Sequence, residues 1–339
     1  MLESRVDNHR TETCKTMTDL PIIDISPLLG DDQQAAEPVM RSIDHACSEI
    51  GFMVIRGHGI PVATISRLRE FVRQFFALPA EEKHALSITR DNYRGYIPLG
   101  FFTPNAARGT ADQYEGYKLH AETDATDPIC DDCDLYGPNK WPDRPVGLRA
   151  AVLDYWQECD RVANVLLGAL ASALGTDPAV FRSAFDKPLT NMTLLHYPPR
   201  DAAADYFGIH PHKDTDALTI LAPDPVGGLY VRRQGHKQWL SADAPVDALI
   251  VNIGDMLEVW SGGHFVSTPH KVVNSTGQAR YSFPYFAVPR FDVRVAPLVA
   301  AQPGFERAAI PVGDASRKIW ESNWSDAAAI DECYDPATP

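Results

Sequence analysis

Two histidines and one aspartate have the types and the spacing to bind a transition metal. His212 and Asp214 are separated by one residue in a segment that reads as extended, so both side chains point to the same side of the chain. His270 begins a second β-rich run, HKVVN, further along the sequence. Two imidazoles and one carboxylate leave positions open on one face of the metal, as non-haem Fe(II) oxygenases require. The pattern therefore predicts an iron site formed by these three residues.

A second pair with the same spacing can hold a carboxylate. Arg280 and Ser282 lie on a predicted strand shortly after the last of the three metal ligands. A guanidinium binds a carboxylate through two parallel charge-assisted hydrogen bonds, and the serine hydroxyl can add a third. Tyr197, at the end of the run NMTLLHY, can supply one more hydroxyl. We therefore expect an anchor for an acidic co-substrate beside the metal.

Another register of the histidine ligands also fits the sequence. His210 precedes His212 by two residues, and His270 together with Asn274 matches part of a cupin pattern. A lone histidine is usually structural or solvated, so none of these signals is specific by itself. The presence of both pairs on predicted strands favours the iron site, and a cupin-like jelly-roll protein that binds a metal or ligand is the alternative.

The elements that must position these residues are predicted from changes in periodicity. Before about residue 190 the apolar spacing is mostly helical, and the longest stripe runs over 146–174. After it come short β-rich runs separated by Gly, Pro, Asp and Asn turns, which are typical of a closed antiparallel sandwich. The fold class we predict is mixed α/β with an all-β core. That core is a double-stranded β-helix, or jelly roll, with an N-terminal helical region and a long supporting helix.

We expect one domain. Residues 1–19 read as a flexible leader, and residues 20–339 as a single catalytic domain. Within that domain, 20–190 is the mainly helical region, 191–300 the jelly-roll core and 301–339 a C-terminal segment.

Composition limits the partners and the compartment. The formal net charge of -14 disfavours binding to nucleic acid, because no phosphate-neutralising surface is evident. The polar start lacks the apolar core of a signal peptide, and no apolar run is long enough to span a membrane. The six cysteines include a CxxC pair, Cys130 and Cys133, without a second pair to complete a zinc site. We expect a cytoplasmic protein with reduced thiols and no membrane partner.

Most of the chain is covered by segments of a recognisable kind: PIIDISPLL, ACSEIGFMVIRGHGI, RGYIPLG, HKDTDALTIL, GGLYV, ALIVNIGD, STPHKVVN and RYSFPYF. Together they resemble the isopenicillin N synthase-like family of Fe(II)- and 2-oxoglutarate-dependent oxygenases. The resemblance implies that His212, Asp214 and His270 bind Fe(II). It also implies that Arg280 and Ser282 grip the distal carboxylate of 2-oxoglutarate. Tyr197 often assists in relatives.

The resemblance also implies an activity. A small molecule, in many relatives a secondary metabolite, would be hydroxylated, desaturated or cyclised with release of succinate and CO2. A family member that keeps the iron site but does not use 2-oxoglutarate is the nearest alternative. Substrate identity and oligomeric state are not predicted. Where many relatives have an asparagine before the tyrosine, this chain has Leu195 and His196, so that contact is not assigned. The candidate substrate contacts are Tyr96, Phe102, Tyr117, Lys118 and Phe286.

Overall fold

The secondary structure changes character where the apolar periodicity changes. A computed structural model describes residues 20–102, 111–200 and 207–322. The predicted leader, 1–19, and the chain after residue 322 lie outside the described residues. None of the helices in the described ranges is both long and apolar enough to cross a membrane.

The helices in these ranges mostly precede the strands that carry the predicted site. They are α1 (Gln33–Glu49), α2 (Val62–Phe76), α3 (Ala80–His84), α4 (Ile129–Asp132), α5 (Leu148–Ala173), α6 (Ala179–Ala184), α7 (Asp255–Trp260) and α8 (Val312–Ser322), with a 3-10 turn at Ser26–Leu29.

The strands are short, and most of them follow residue 190. They are β1 (Ile22–Asp24), β2 (Phe52–Arg56), β3 (Gly95–Ile97), β4 (Glu115–His120), β5 (Asn191–Tyr197), β6 (Ile209–His212), β7 (Leu218–Leu221), β8 (Leu229–Val231), β9 (Leu240–Ser241), β10 (Leu249–Ile253), β11 (His270–Val272), β12 (Arg280–Ser282), β13 (Tyr285–Ala287), β14 (Arg294–Val295) and β15 (Ile310–Pro311).

The major sheet has the order β1-β2-β10-β7-β13-β5-β4-β3, with β12 also paired to β5. Five strands that are neighbours in this sheet each contribute one residue to a single row of directly paired residues. Paired residues point to the same face of a sheet, so these side chains share the inner face of the fold. From β10 to β4 the row is Asn252, Thr219, Phe286, Asn191 and His120.

The minor sheet has the order β6-β11-β8-β9 and carries both predicted histidine ligands. His270 on β11 is the direct partner of His212 on β6, so the two imidazoles share one face. Asp214 lies beyond the end of β6, in the loop that leads to β7 of the major sheet. The chain therefore passes from one sheet to the other at the predicted metal site.

Helix α5 supports the outer face of the major sheet, as predicted. Tyr155 meets the Phe283 ring edge-on with a centroid distance of 5.2 Å, and Trp156 meets Tyr285 at 5.7 Å. The run RYSFPYFAV reads as one strand in the sequence but forms two, β12 and β13. Pro284 separates them because proline has no N–H to donate to a sheet ladder.

Gly51 joins α1 to β2 in a conformation that excludes a side chain. Its φ is +66°, and a Cβ would come within 2.0 Å of the Val266 carbonyl oxygen. Gly175, after α5, has a nearly identical φ of +67° with nothing within 4 Å of the same position. The two glycines therefore share the conformational demand and differ in the close contact.

We predict that Gly51→Ala destabilises the fold more than Gly175→Ala does. The left-handed conformation should cost about 1 kcal/mol in both variants. The clash with the carbonyl of Val266 should add roughly 2 kcal/mol or more to the first. Urea unfolding of both variants measures the difference, and equal midpoints would show that the close contact is not limiting.

Candidate active site

The three predicted ligands converge on one point between the sheets. Nε2 of His212 lies 3.7 Å and Nε2 of His270 lies 3.6 Å from Oδ1 of Asp214. The ligand atoms all lie within 4.8 Å of one another, and no other such cluster occurs in the described ranges. Two ligands about 2.1 Å from a shared ion are at most about 4.2 Å apart, so both nitrogen-to-oxygen distances suit one metal.

Backbone carbonyls orient both imidazoles. Nδ1 of His212 is 2.8 Å from the His210 carbonyl oxygen, and Nδ1 of His270 is 3.2 Å from that of Thr268. A carbonyl only accepts, so each Nδ1 carries the proton and each Nε2 keeps its lone pair for a metal. Burial, together with neighbouring His212, holds the pKa of His270 below its ordinary value. Burial therefore favours the neutral imidazole of His270, which is the form that can bind a metal.

The carboxylate of Asp214 is oriented by the major sheet. Its Oδ2 accepts hydrogen bonds from Thr219 Oγ1 at 2.6 Å and Asn252 Nδ2 at 2.8 Å, which leaves Oδ1 toward the histidines. Burial alone would raise the pKa of Asp214. The facing His270 and His212, with the two hydrogen bonds, outweigh that effect and hold the pKa below its ordinary value. Asp214 is thus an ionised ligand with one oxygen available.

A second buried carboxyl stands behind the first. Oδ2 of Asp216 is 2.9 Å from Thr219 Oγ1, the same hydroxyl that donates to Asp214. A hydroxyl has one proton, so it cannot donate to both carboxyls. Burial, with the Asp214 charge nearby, raises the pKa of Asp216 well above its ordinary value. The protonated form of Asp216 can therefore donate to the Thr219 hydroxyl, which in turn donates to Asp214.

The predicted carboxylate anchor contains a buried cation that has no anionic partner among the described residues. Arg280 is 3% exposed, its Nε donates to the Gly227 carbonyl at 2.6 Å, and its guanidinium lies 4.8 Å from the Tyr197 ring centroid. Its Nη1 is buried and meets no acceptor within the described residues. Ser282 lies two residues further on β12, on the same face. Buried charges are nearly always paired, so this arrangement fits an acidic ligand.

The comparisons with known proteins identify the family. Residues 20–144 match the N-terminal region of a non-haem dioxygenase in morphine synthesis, and residues 189–289 match the 2OG-Fe(II) oxygenase superfamily. A homoarginine-6-hydroxylase of Glycine max is 33% identical over 82% of this chain and 88% of its own length. The chain belongs to the 2OG-Fe(II) oxygenase superfamily.

Further similarities agree with this assignment. A 2-oxoglutarate-dependent dioxygenase of Trichoderma harzianum is 33% identical over 78% of this chain and 82% of its own. A full-length Neurospora crassa protein, crystallised with alpha-KG and thymine, has a TM-score of 0.78 at 25% identity. The match covers 90% of this chain and 97% of that one. This oxygenase is Fe(II)- and 2-oxoglutarate-dependent and acts on a small molecule, and the predicted jelly roll is confirmed.

Three of the five predicted substrate contacts of the oxygenase lie toward the inside of the fold. Lys118 on β4 pairs with Thr193, and its Nζ lies 5.3 Å from the Phe286 ring centroid. Phe102 packs near Tyr93, at a centroid distance of 6.5 Å. The structure therefore brings Lys118 and Phe286 together on the inner face, with Phe102 close to one of their neighbours.

The other two predicted contacts, Tyr96 and Tyr117, point to the outer face. The Tyr96 hydroxyl donates to Glu115 at 2.6 Å, and the Tyr117 hydroxyl donates to the Lys140 carbonyl at 2.7 Å. Tyr117 also packs edge-on against Phe75 of α2. Successive residues of a strand point to opposite faces of the sheet. Because Lys118 points to the inner face, Tyr117 must point to the outer face.

The alternative choice of ligands, with His210 paired to His212, does not form a metal-ligand cluster in the described residues. His210 lies outside the three-residue group, and its Nδ1 is 2.6 Å from Oδ1 of Asp112. The CxxC cysteines also fail to join a metal-ligand cluster in the described ranges. Burial raises the thiol pKa of both Cys130 and Cys133, which disfavours reactive thiolates.

Sequence reasoning missed the residues that orient Asp214. Thr219 and Asn252 are polar residues within the otherwise apolar runs ALTIL and ALIVNIG. A polar side chain in a fully buried strand needs a partner, which is the signal that could have identified them.

We predict that Thr219→Val weakens Fe(II) binding about ten- to hundredfold, because Asp214 loses one of the donors that orient it. Anaerobic calorimetric titration with Fe(II) measures the change. Thr190→Val is the matched control, since Thr190 is equally buried but bonds the Val288 carbonyl. Unchanged affinity in the Thr219 variant would mean that Asn252 alone fixes the carboxylate.

Proposed function

We propose that His212, Asp214 and His270 hold the catalytic Fe(II). One observation carries this assignment: Oδ1 of the carboxylate faces both Nε2 atoms, at 3.7 and 3.6 Å. The remaining ring nitrogens and carboxylate oxygen of the three side chains are already hydrogen-bonded. The atoms left over are a metal-ligand set and nothing else.

We further propose that the distal carboxylate of 2-oxoglutarate is bound by three residues, Arg280, Ser282 and Tyr197. A Cβ at Gly228 would lie 4.0 Å from the Arg280 Cδ and 2.4 Å from the Val273 carbonyl oxygen. Val273 comes directly after β11 and is three residues from His270. At about 3.3 Å per residue of an extended chain, the two positions are roughly 10 Å apart. A five-carbon diacid can contact the guanidinium at one end and the metal at the other.

The oxidising chemistry comes from Fe(II) and 2-oxoglutarate when bound, which activate O2 while the keto acid is converted to succinate and CO2. The protein's own residues prepare the site for this. The Nδ1–H groups of the histidines, held by carbonyls, fix the rings, and Thr219 with Asn252 fixes the carboxylate. The buried guanidinium of Arg280 sets the direction of the co-substrate, and the two sheets limit access of water.

Hydroxylation of a small molecule is the outcome we propose, because the relatives include an enzyme named as a homoarginine hydroxylase. Lys118, Phe286 and Phe102 are the proposed substrate contacts. The alternative is an oxidase of the same fold that keeps the iron site and the Arg280–Ser282 pair but does not use 2-oxoglutarate, and succinate formation separates the two.

The proposal also covers organisation and location. We assign residues 20–339 to one catalytic domain, supported by Trp320 of α8, which packs on Tyr93 at 5.5 Å. A cytoplasmic location is supported by the unpaired, buried Cys47 and Cys159, which suit a reducing compartment. The charge of -14 supports a role without nucleic acid.

We predict that the anaerobically Fe(II)-loaded protein forms succinate from 2-oxoglutarate when O2 is admitted. In Arg280→Met the KM for 2-oxoglutarate should rise about thirtyfold or more, because one partner of a buried charge pair is lost. Arg290→Met is the matched control, since that arginine is paired with Asp292 near the surface. Chromatographic quantification of succinate provides the rate.

Two results would contradict the proposal in different ways. O2 uptake without succinate, in protein that binds Fe(II), would favour the 2-oxoglutarate-independent oxidase. Equal KM values in wild type and Arg280→Met would remove Arg280 from the anchor while leaving the enzyme class intact.

A further inference from the structure

Lys118 has an unusual environment on the inner face of β4. Its Nζ donates to Asn191 Oδ1 at 2.6 Å and to Thr193 Oγ1 at 3.1 Å, both on β5. The ammonium lies 5.3 Å from the Phe286 ring centroid and 6.0 Å from that of Tyr93. An ammonium has three donors, so one N–H remains for another acceptor.

This lysine has no carboxylate partner within ion-pair distance in the described residues. Lys83 on the outer side is the useful comparison, because its Nζ is 2.7 Å from Glu115. Burial lowers the pKa of Lys118 to about 8, against the opposing influence of the nearby Asp216 and Asp214 carboxyls. A largely buried cation with only neutral partners is costly to keep unless it binds an anion in function.

The surroundings of Lys118 offer donors and flat apolar walls. Burial holds the pKa of His120 well below its ordinary value, so this neighbour on the inner face is neutral. Trp320 of α8 packs against Tyr93 with a centroid distance of 5.5 Å. Its buried indole N–H has no acceptor among the described residues. The space beside Lys118 therefore suits an acceptor-rich, negatively charged group on a planar or apolar molecule.

The position of Lys118 relative to the iron site fixes the length of such a molecule. Thr219, which bonds Asp214, and Asn191, which bonds Lys118, belong to the same cross-strand row and are two strands apart. Neighbouring strands are about 4.8 Å apart, so the two row positions are roughly 10 Å apart. A molecule of that length can contact Lys118 at one end and approach the metal with the other.

We propose that Lys118 binds the carboxylate of the primary substrate, so that the enzyme oxidises a small organic acid at a carbon remote from that carboxylate. The inference rests on the proposed function, since it places the reacting carbon at the iron site. A carboxylate suits one ammonium, whereas a doubly charged phosphate is usually met by arginine clusters. A cationic substrate group would be repelled at this position.

The test uses matched ligands that differ only in charge. Phenylacetate, phenylacetamide and phenethylamine form one series, and indole-3-acetate, indole-3-acetamide and tryptamine form another. Each is titrated calorimetrically into the anaerobic Fe(II)- and 2-oxoglutarate-loaded enzyme, which reports binding without turnover. Succinate formation after admission of O2 is measured separately for each ligand.

We expect the wild type to bind the acid of at least one series about ten- to hundredfold more tightly than its amide, the range of a charge-assisted hydrogen bond. Lys118→Met should reduce this preference to less than about twofold, and Lys118→Arg should retain most of it. Lys237→Met, at an exposed lysine, is the control for the change of residue type and should keep the preference.

Three outcomes overturn the inference. They are a wild type that binds amides or amines as well as acids, an acid preference that survives in Lys118→Met, and no detectable binding of any acid at millimolar concentration. If succinate forms in these cases, the proposed function still stands. Conversely, Lys118-dependent binding of acids without any succinate would support the anchor and contradict the proposed function. Should Lys118→Met not fold, Lys118→Gln replaces it, and an acid preference that this variant keeps would overturn the inference.

The affinity for acids should also depend on pH. Besides Asp214 and Asp216, which oppose deprotonation, the nearby titratable groups are His120 and Tyr93. Lys118 has a pKa of about 8, so its charge is lost as pH rises through that value. Acid affinity in wild type should therefore fall up to tenfold per pH unit above about pH 8, while Lys118→Arg stays level. A flat wild-type profile to pH 10 would contradict the role of this ammonium.

Discussion

The active site depends on the way Asp214 joins the two sheets. One carboxylate oxygen accepts hydrogen bonds from Thr219 and Asn252 of the major sheet, while the other faces His212 and His270 of the minor sheet. Neither sheet alone can form the metal-ligand set. The separation of the sheets and the orientation of the carboxylate are therefore fixed by the same few contacts. Loosening the packing between the sheets would disturb the ligands before it disturbed either sheet.

The alternation of strand residues separates structural charges from functional ones. On the outer face of β4, Glu115 is neutralised by Lys83. On the inner face, Lys118 and Arg280 have only neutral partners within the described residues. The two kinds of charge differ because both members of an ion pair that only stabilises the fold can come from the protein itself. A cation that binds a dissociable acid must lack a carboxylate partner in the free protein. Burying such a cation makes folding less favourable, and its missing partner identifies the binding site.

How much could be predicted from the sequence depended on how local the information was. The candidate metal ligands can be predicted because His212 and Asp214 are two residues apart, a spacing that any extended segment converts into proximity. Thr219 and Asn252 were missed because their relation to Asp214 depends on the order of strands in the sheet. The alternation in β4 could show that Tyr117 and Lys118 face opposite ways. Which of the two faces inward is decided by pairing with β5, which no local pattern reveals.

The electrostatics of the interior also explain how an acidic protein can accept acidic ligands. A net charge of -14 repels anions at long range, but exposed charges are screened beyond about 8–10 Å at physiological ionic strength. Inside the fold, burial favours the neutral form of His270 and raises the pKa of Asp216, so that Asp214 and not Asp216 carries the negative charge. The cations Arg280 and Lys118 then stand on the inner side of the fold, each bonded only to neutral groups among the described residues. An acid bound beside either cation would meet a local positive charge in a protein of net negative charge, which is how the proposed acidic ligands can be accommodated.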